Sequence, residues 1–229
     1  MEVISVDGKV KKTDLLKPFK FDIDKNAVEQ KIADLDRMDA EKEKEKHAKD
    51  VRDSGVGEKF WGSSFENYVV ENETQRKAVY LLKNYAKDPK DKAILLLGNC
   101  GLGKTHLVTA MMYECKLKPK FVTMREICIE MEVSRSFKAD KNTKQVLMEY
   151  ATAPLLVVDE ICRGTNEKDE QMFHSFVLGY RYDNRLPTVK ISNFPYEAVK
   201  KTLGKDIIDR LKEISTSLII EGESWRGRK

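Results

Sequence analysis

The 229-residue sequence predicts an α/β fold, a parallel sheet with flanking helices on both faces, preceded by an N-terminal helical extension. Three observations predict it. Short all-apolar runs at 93–97 and 155–158 alternate with helical patterns, as strands buried on both faces do. The segment Gly98-Asn-Cys-Gly101-Leu-Gly103-Lys104-Thr105 follows the first run directly and opens a helical pattern, the context expected of a phosphate loop. Up to about Gly57, by contrast, the chain is polar, with no aromatics beyond Phe19 and Phe21.

Residues 26–52 read as one helix, free of Pro and Gly, reaching about 40 Å at ~1.5 Å per residue. Its apolar stripe (Val28, Ile32, Leu35, Met38) is too narrow for a core and suits docking on a partner's helices. The tract Glu41-Lys-Glu-Lys-Glu-Lys46 puts like charges at i,i+4, so its pairs offset one another. Asp53-Ser-Gly-Val-Gly57 reads as a flexible linker. This divides the chain into 1–57, a docking extension and linker, and 58–229, the main domain.

Asn72-x-x-Gln75 resembles a capping box opening a helix through Ala78, Val79, Leu82, Tyr85 and Ala86, which Asp88-Pro89 ends. A strand at 93–97, a helix from Lys104 to about Cys115, a strand at 121–123 and a helix at 125–135 follow. Beyond them come a strand at 155–158, a helix near 168–182, a strand at 188–192, two short helices and a last strand at 218–221.

Composition excludes other classes. With 35% charged residues, no apolar run approaches the ~20 needed to span a bilayer, and the first residues lack a signal-peptide pattern. A cytoplasmic protein without membrane contact is expected. The net charge of +4 divides into −1 for residues 1–60 and +5 for 61–229, which permits contact with a polyanion. Cys100, Cys115, Cys128 and Cys162 form no C-x-x-C pair, so reduced thiols and no zinc site are expected.

Glycines at 98, 101 and 103 let Asn99, Cys100 and Leu102 turn their N–H groups toward phosphate oxygens, and the helix through Lys104, Thr105 and His106 adds its N-terminal dipole. Lys104 reaches the β/γ-phosphates and the Thr105 hydroxyl suits Mg²⁺. The strand at 155–158 runs into Asp159-Glu160, placing acids at the sheet's C-terminal edge. Asp159 would hold Mg²⁺ and Glu160 would polarise an attacking water, so Mg-dependent ATP hydrolysis is predicted.

These residues resemble a family. Ser64-Phe-Glu-Asn-Tyr68, the phosphate loop, Val157-Val-Asp-Glu160, Ile191-Ser-Asn193, Asp209-Arg210-Leu211 and Ser224-Trp-Arg226 occur in the order found in bacterial replicative helicase loaders of the DnaC group. The transposition ATPase IstB is a close relative. The resemblance covers about residues 60–229 and implies a P-loop AAA+ core. Only eight residues follow the last predicted strand, so the expected core is lidless, as in these loaders.

Position by position, the resemblance implies that Asn193 senses the γ-phosphate or attacking water. Arg210 would be an arginine finger entering a neighbouring subunit's site, which requires self-association. Arg226 would sense γ-phosphate within its own subunit, and Tyr68 with Val69 would wall the adenine pocket. Single-stranded DNA would meet Arg135, Phe137 and Lys138, where cations neutralise phosphates and an aromatic offers a stacking face. Asp169, on the facing segment, would repel phosphate. The implied function is an ATP-dependent loader that places a hexameric replicative helicase on single-stranded DNA, gripping it through the N-terminal helix. The alternatives are an IstB-like regulator of transposition, a small-molecule kinase and a non-catalytic scaffold.

Overall fold

The computed structural model describes residues 25–90 and 92–227. The apolar runs become strands because both sides are covered. From β1 (Ala93–Gly98), Ala93, Leu95 and Leu97 enter one apolar cluster, and Ile94 and Leu96 enter a second on the opposite face. From β3 (Leu155–Asp159), Leu156 and Val158 join the first, and Leu155 and Val157 the second. A period of two with apolar residues at every position is what a doubly covered strand requires.

Strands β2 (Pro119–Thr123), β4 (Thr188–Ser192) and β5 (Ser215–Ile220) complete a parallel sheet in the order β2-β3-β4-β1-β5. The fold expected from the sequence is therefore the observed one. Strand β4 lies between β1 and β3, so the residue after Ser192 emerges between the ends of the two strands that carry the phosphate loop and Asp159.

Helix α1 is Lys25–Arg52, as predicted. The chain divides into two units, residues 1–43 and 44–229. In the first, Ile32, Leu35 and Met38 are each about half exposed, at 52–54%. The side chain of Val28 and residues 1–24 of the predicted docking extension lie outside the described residues.

In the second unit, α1 continues with His47 in hydrogen-bond contact with the Met112 carbonyl (2.9 Å) and Val51 fully buried. The predicted flexible linker is instead a pinned turn. The Phe121 amide donates to the Ser54 carbonyl (2.9 Å), and Val56 is buried. A long-range strand-edge hydrogen bond holds a Gly-rich stretch that local composition marks as loose.

Helix α2 (Glu73–Lys87) starts at Asn72, whose side chain accepts from the Gln75 amide. The Gln75 side chain returns to the amide of Glu71 (2.6 Å), one residue earlier than in a capping box. Helix α3 (Lys104–Glu114) packs with α2 beneath the second cluster. Helices α4 (Met124–Val133) and α5 (Thr143–Ala151) cover the first.

Helix α5 is absent from the elements the sequence predicts, which pass from the helix at 125–135 to the strand at 155–158. Its Asn142-x-x-Gln145 cap has both reciprocal hydrogen bonds. The helix expected near 168–182 is α6 (Glu167–Phe173), a π-helical turn (His174–Leu178) and α7 (Gly179–Asp183). The two short helices are α8 (Tyr196–Leu203) and α9 (Lys205–Ile214). Among the described residues no helix is long and apolar enough to cross a membrane.

Candidate active site

The phosphate loop folds between β1 and α3 through left-handed backbone. Gly103, preceding α3, has φ +76°, a region that costs an L-residue ~1–2 kcal/mol, and a Cβ there would lie 2.6 Å from the Tyr68 ring. The Tyr68 hydroxyl donates to the Leu102 carbonyl (2.9 Å), and its ring lies 5.8 Å from that of His106. His106 in turn meets the Ser64 carbonyl (3.0 Å). Tyr68 and His106 thus brace the loop from the Ser64–Tyr68 motif side, and Leu102 is buried beneath it.

A cleft of about 250 Å³ opens at this end of the sheet. The sequence-predicted residues that line it are Gly101, Gly103, Lys104, Thr105, His106, Asp159, Glu160, Asn193 and Arg226. Four segments far apart in sequence therefore converge on one cleft. Lys59 and Phe60, from the short 3₁₀ turn Glu58–Phe60, also line it, and the sequence reading missed them. No motif marks them; only the return of the chain across α3 places them there.

Lys104 Nζ donates to the carbonyls of Gly98 and Asn99, both at 2.7 Å. Burial pushes its ammonium down to about 8, and nearby Asp159 opposes the shift. Thr105 Oγ1 donates to Asp159 Oδ2 (2.8 Å), and the Glu160 amide donates to Oδ1 (2.7 Å). Burial pushes the Asp159 carboxyl above its ordinary range. A buried carboxylate next to a hydroxyl is a site that a hard cation relieves, so Thr105 and Asp159 fit Mg²⁺.

Glu160 sits at φ +55°, with Arg163 3.7 Å from Oε1. Asn193 follows β4 and faces the same cleft. The closing motif lies on the loop itself: the Trp225 amide donates to the Gly101 carbonyl (3.0 Å), and a Cβ on Gly101 (φ +85°) would fall on the Ser224 hydroxyl. This contact brings Arg226 to the cleft. Cys100 is half-buried within the loop.

Arg210 does not line this cleft. It stands on α9, 3.9 Å from Asp183 and over the Tyr182 ring at 5.6 Å. Val69 is exposed. In the segment after α4, Phe137 is fully exposed and Lys138 is exposed beside it. Arg135 forms a two-point ion pair with Asp169, so the acid expected to repel phosphate is neutralised by the cation expected to bind it. Among the described residues no group of three or more His, Cys, Asp or Glu is arranged to hold a metal ion.

A family model described as IstB-like ATP binding protein matches residues 8–229. The replicative helicase loader DnaC of Escherichia coli (strain K12) is 30% identical over 181 residues, 76% of this chain and 74% of that one. The chain belongs to the DnaC/IstB family of AAA+ ATPases. The replicative helicase loader DnaC of Buchnera aphidicola subsp. Schizaphis graminum is 28% identical over 179 residues, 76% of this chain and 73% of its own. A crystal structure of the DnaC helicase loader superposes with a TM-score of 0.63 at 20% identity, covering 72% of this chain and all of that one. DnaI gives 0.62, also at 20%, covering 75% and 95%. These two likenesses establish the AAA+ fold. Membership in the family makes this chain an ATP-hydrolysing enzyme.

Proposed function

We propose that this chain is an ATP-controlled loader that delivers a hexameric replicative DNA helicase onto single-stranded DNA when replication starts. The observation that carries the proposal is the alignment, over 76% of the chain, with proteins named replicative helicase loaders. The cleft supplies a mechanism. Loop amides and Lys104 bind the β/γ-phosphates, and burial makes Lys104 ready to accept an anionic partner. Thr105 and Asp159 hold Mg²⁺, which supplies neutralisation of phosphate charge. Glu160 polarises the attacking water, and Asn193, emerging between the phosphate loop and Asp159, orients it or the γ-phosphate. Arg226 reads γ-phosphate in its own subunit. Arg210, outside its own cleft, serves the site of a neighbouring copy, so ATP governs self-association.

The exposed Phe137 ring offers a base-stacking face and Lys138 a phosphate contact. The half-exposed Ile32, Leu35 and Met38 on α1 supply the helicase grip. We place the docking extension before Lys44 and the ATPase domain after it, because residues 44–57 pack into the second unit.

The test is a pull-down of the host's hexameric helicase by the full chain, with Leu35→Asp/Met38→Asp as control. The wild type retains the helicase and the double variant releases it while keeping ATP turnover. The alternative, an IstB-like regulator of transposition, is tested in the same assay by including a transposase. Failure to bind a helicase, with stimulation of transposition, would overturn the loader reading.

A further inference from the structure

We propose that Glu170 on α6 is a positioning residue for hydrolysis, acting through the loop that carries Glu160; this rests on the reading of Glu160 as the group that polarises water. Glu160 and Cys162 both adopt left-handed backbone, at φ +55° and +70°. Such residues cost ~1–2 kcal/mol each and persist where the surroundings over-determine them. Two anchors do so here. On the β4 side, the Ile161 amide donates to the Ile191 carbonyl (3.1 Å) and Ser192 Oγ donates to the Ile161 carbonyl (3.0 Å). On the α6 side, Glu170 Oε1 accepts from the Cys162 amide (2.7 Å) and Oε2 from the Gly164 amide (3.1 Å).

Glu160 immediately precedes the anchored Ile161-Cys162 pair, and its partner Arg163 lies between the two amides that Glu170 holds. The Glu170 side chain is 6% exposed, and the hydrogen bonds it makes go to Cys162, Gly164 and His174, none of them in the phosphate loop. Burial raises its carboxyl pKa, but the hydrogen bonds from His174 and the loop amides outweigh this and hold it below the ordinary range. The carboxylate therefore stays charged, and charge-assisted hydrogen bonds to two amides fix the loop more firmly than neutral ones. Gly164 permits the approach, since a Cβ there would lie 2.7 Å from Oε2.

The experiment measures ATP turnover, ATP affinity and melting temperature on the full chain. Glu170→Gln keeps the volume and one acceptor but loses the second. Glu170→Asp keeps the charge and withdraws it by one methylene, and carries the same test if the glutamine variant does not fold. Both are expected to hold ATP affinity within about twofold and lower kcat about tenfold to a hundredfold, as for a reacting group displaced by ~1 Å. Adding Glu170→Gln to Glu160→Gln should lower kcat no further, because both act at one step. Unchanged kcat in both Glu170 variants, or an additive loss in the double variant, overturns the inference while leaving the reading of Glu160 intact. A parallel loss of affinity, kcat and melting temperature also overturns it, since that marks a general structural role. Wild-type turnover by Glu160→Gln overturns the reading itself, and the inference with it.

Discussion

Lys190, in the middle of β4, is fully buried and its Nζ has no hydrogen-bond partner. Burial alone pushes its pKa down to about 7. Nearby His174 is fully buried, and its imidazole, lowered by burial, is further disfavoured as a cation by Lys190. In the unfolded chain Lys190 titrates near 10.4. At pH 7 the unfolded lysine is charged, whereas the folded one is only half protonated. At ~1.4 kcal/mol per tenfold, the penalty on the native state is on the order of 4 kcal/mol.

Lys190→Met removes that penalty and retains most of the volume. We expect a gain of about 2–4 kcal/mol at pH 7, or roughly 5–15 °C in Tm for a unit of this size. The sign follows from linkage. Between about pH 7 and 10.5 the unfolded state binds the extra proton, so wild-type stability from this group rises with pH. The advantage of the variant should therefore shrink to about one third by pH 9.5. Urea unfolding of both proteins at pH 7 and 9.5 checks this, other groups cancelling in the difference. A variant no more stable at pH 7, or a gain equal at both pH values, would refute the reasoning.

ATP affinity should fall roughly tenfold between pH 7 and 9, because free Lys104 loses its proton near 8 and binding must restore it. Titration calorimetry in two buffers should show proton uptake above pH 8, and constant affinity would contradict it. Gly101→Ala meets both a positive φ and the Ser224 hydroxyl. It should weaken ATP binding at least tenfold, through displacement of Arg226, and lower Tm by about 2–8 °C. Phe137→Ala should weaken single-stranded DNA binding by ~1–3 kcal/mol whatever the sequence. Lys138→Ala should reduce the slope of log affinity against log salt by about 0.7. Fluorescence anisotropy reads both, and an unchanged slope removes Lys138 from the interface.

Much of the site was legible in the sequence because its chemistry is local. A strand, a glycine turn and a helix N-terminus are consecutive in the chain, so residues 98–106 announce a phosphate cradle by themselves. Asp159 is as readable, since an acid ending an apolar run stands at a strand's C-terminal edge. Other features escaped for different reasons. The cap Asn142-x-x-Gln145 is in the sequence, but it follows directly on a basic segment whose charge points to a polyanion rather than to a helix start. The turn at 53–57 is pinned to the sheet by Phe121, more than sixty residues later, whose amide donates to the Ser54 carbonyl. Arg135 was read by its own charge, whereas its pairing with Asp169 depends on α6 packing against α4.

The sequence by itself determined the parallel α/β class, the nucleotide loop and the order of the family's motifs. Each of these rests on residues near one another in the chain, where periodicity and backbone preference act. The tertiary structure alone decided that β4 enters between β1 and β3 and sets Asn193 beside the phosphate loop and Asp159. It alone brought Lys59 and Phe60 to the cleft, laid Ser224 and Trp225 on Gly101, and gave Glu170 two loop amides to hold. Apart from Glu170, whose two amides lie six and eight residues before it, those contacts join segments tens to more than a hundred residues apart. Burial and hydrogen-bond satisfaction select them only once the sheet has formed.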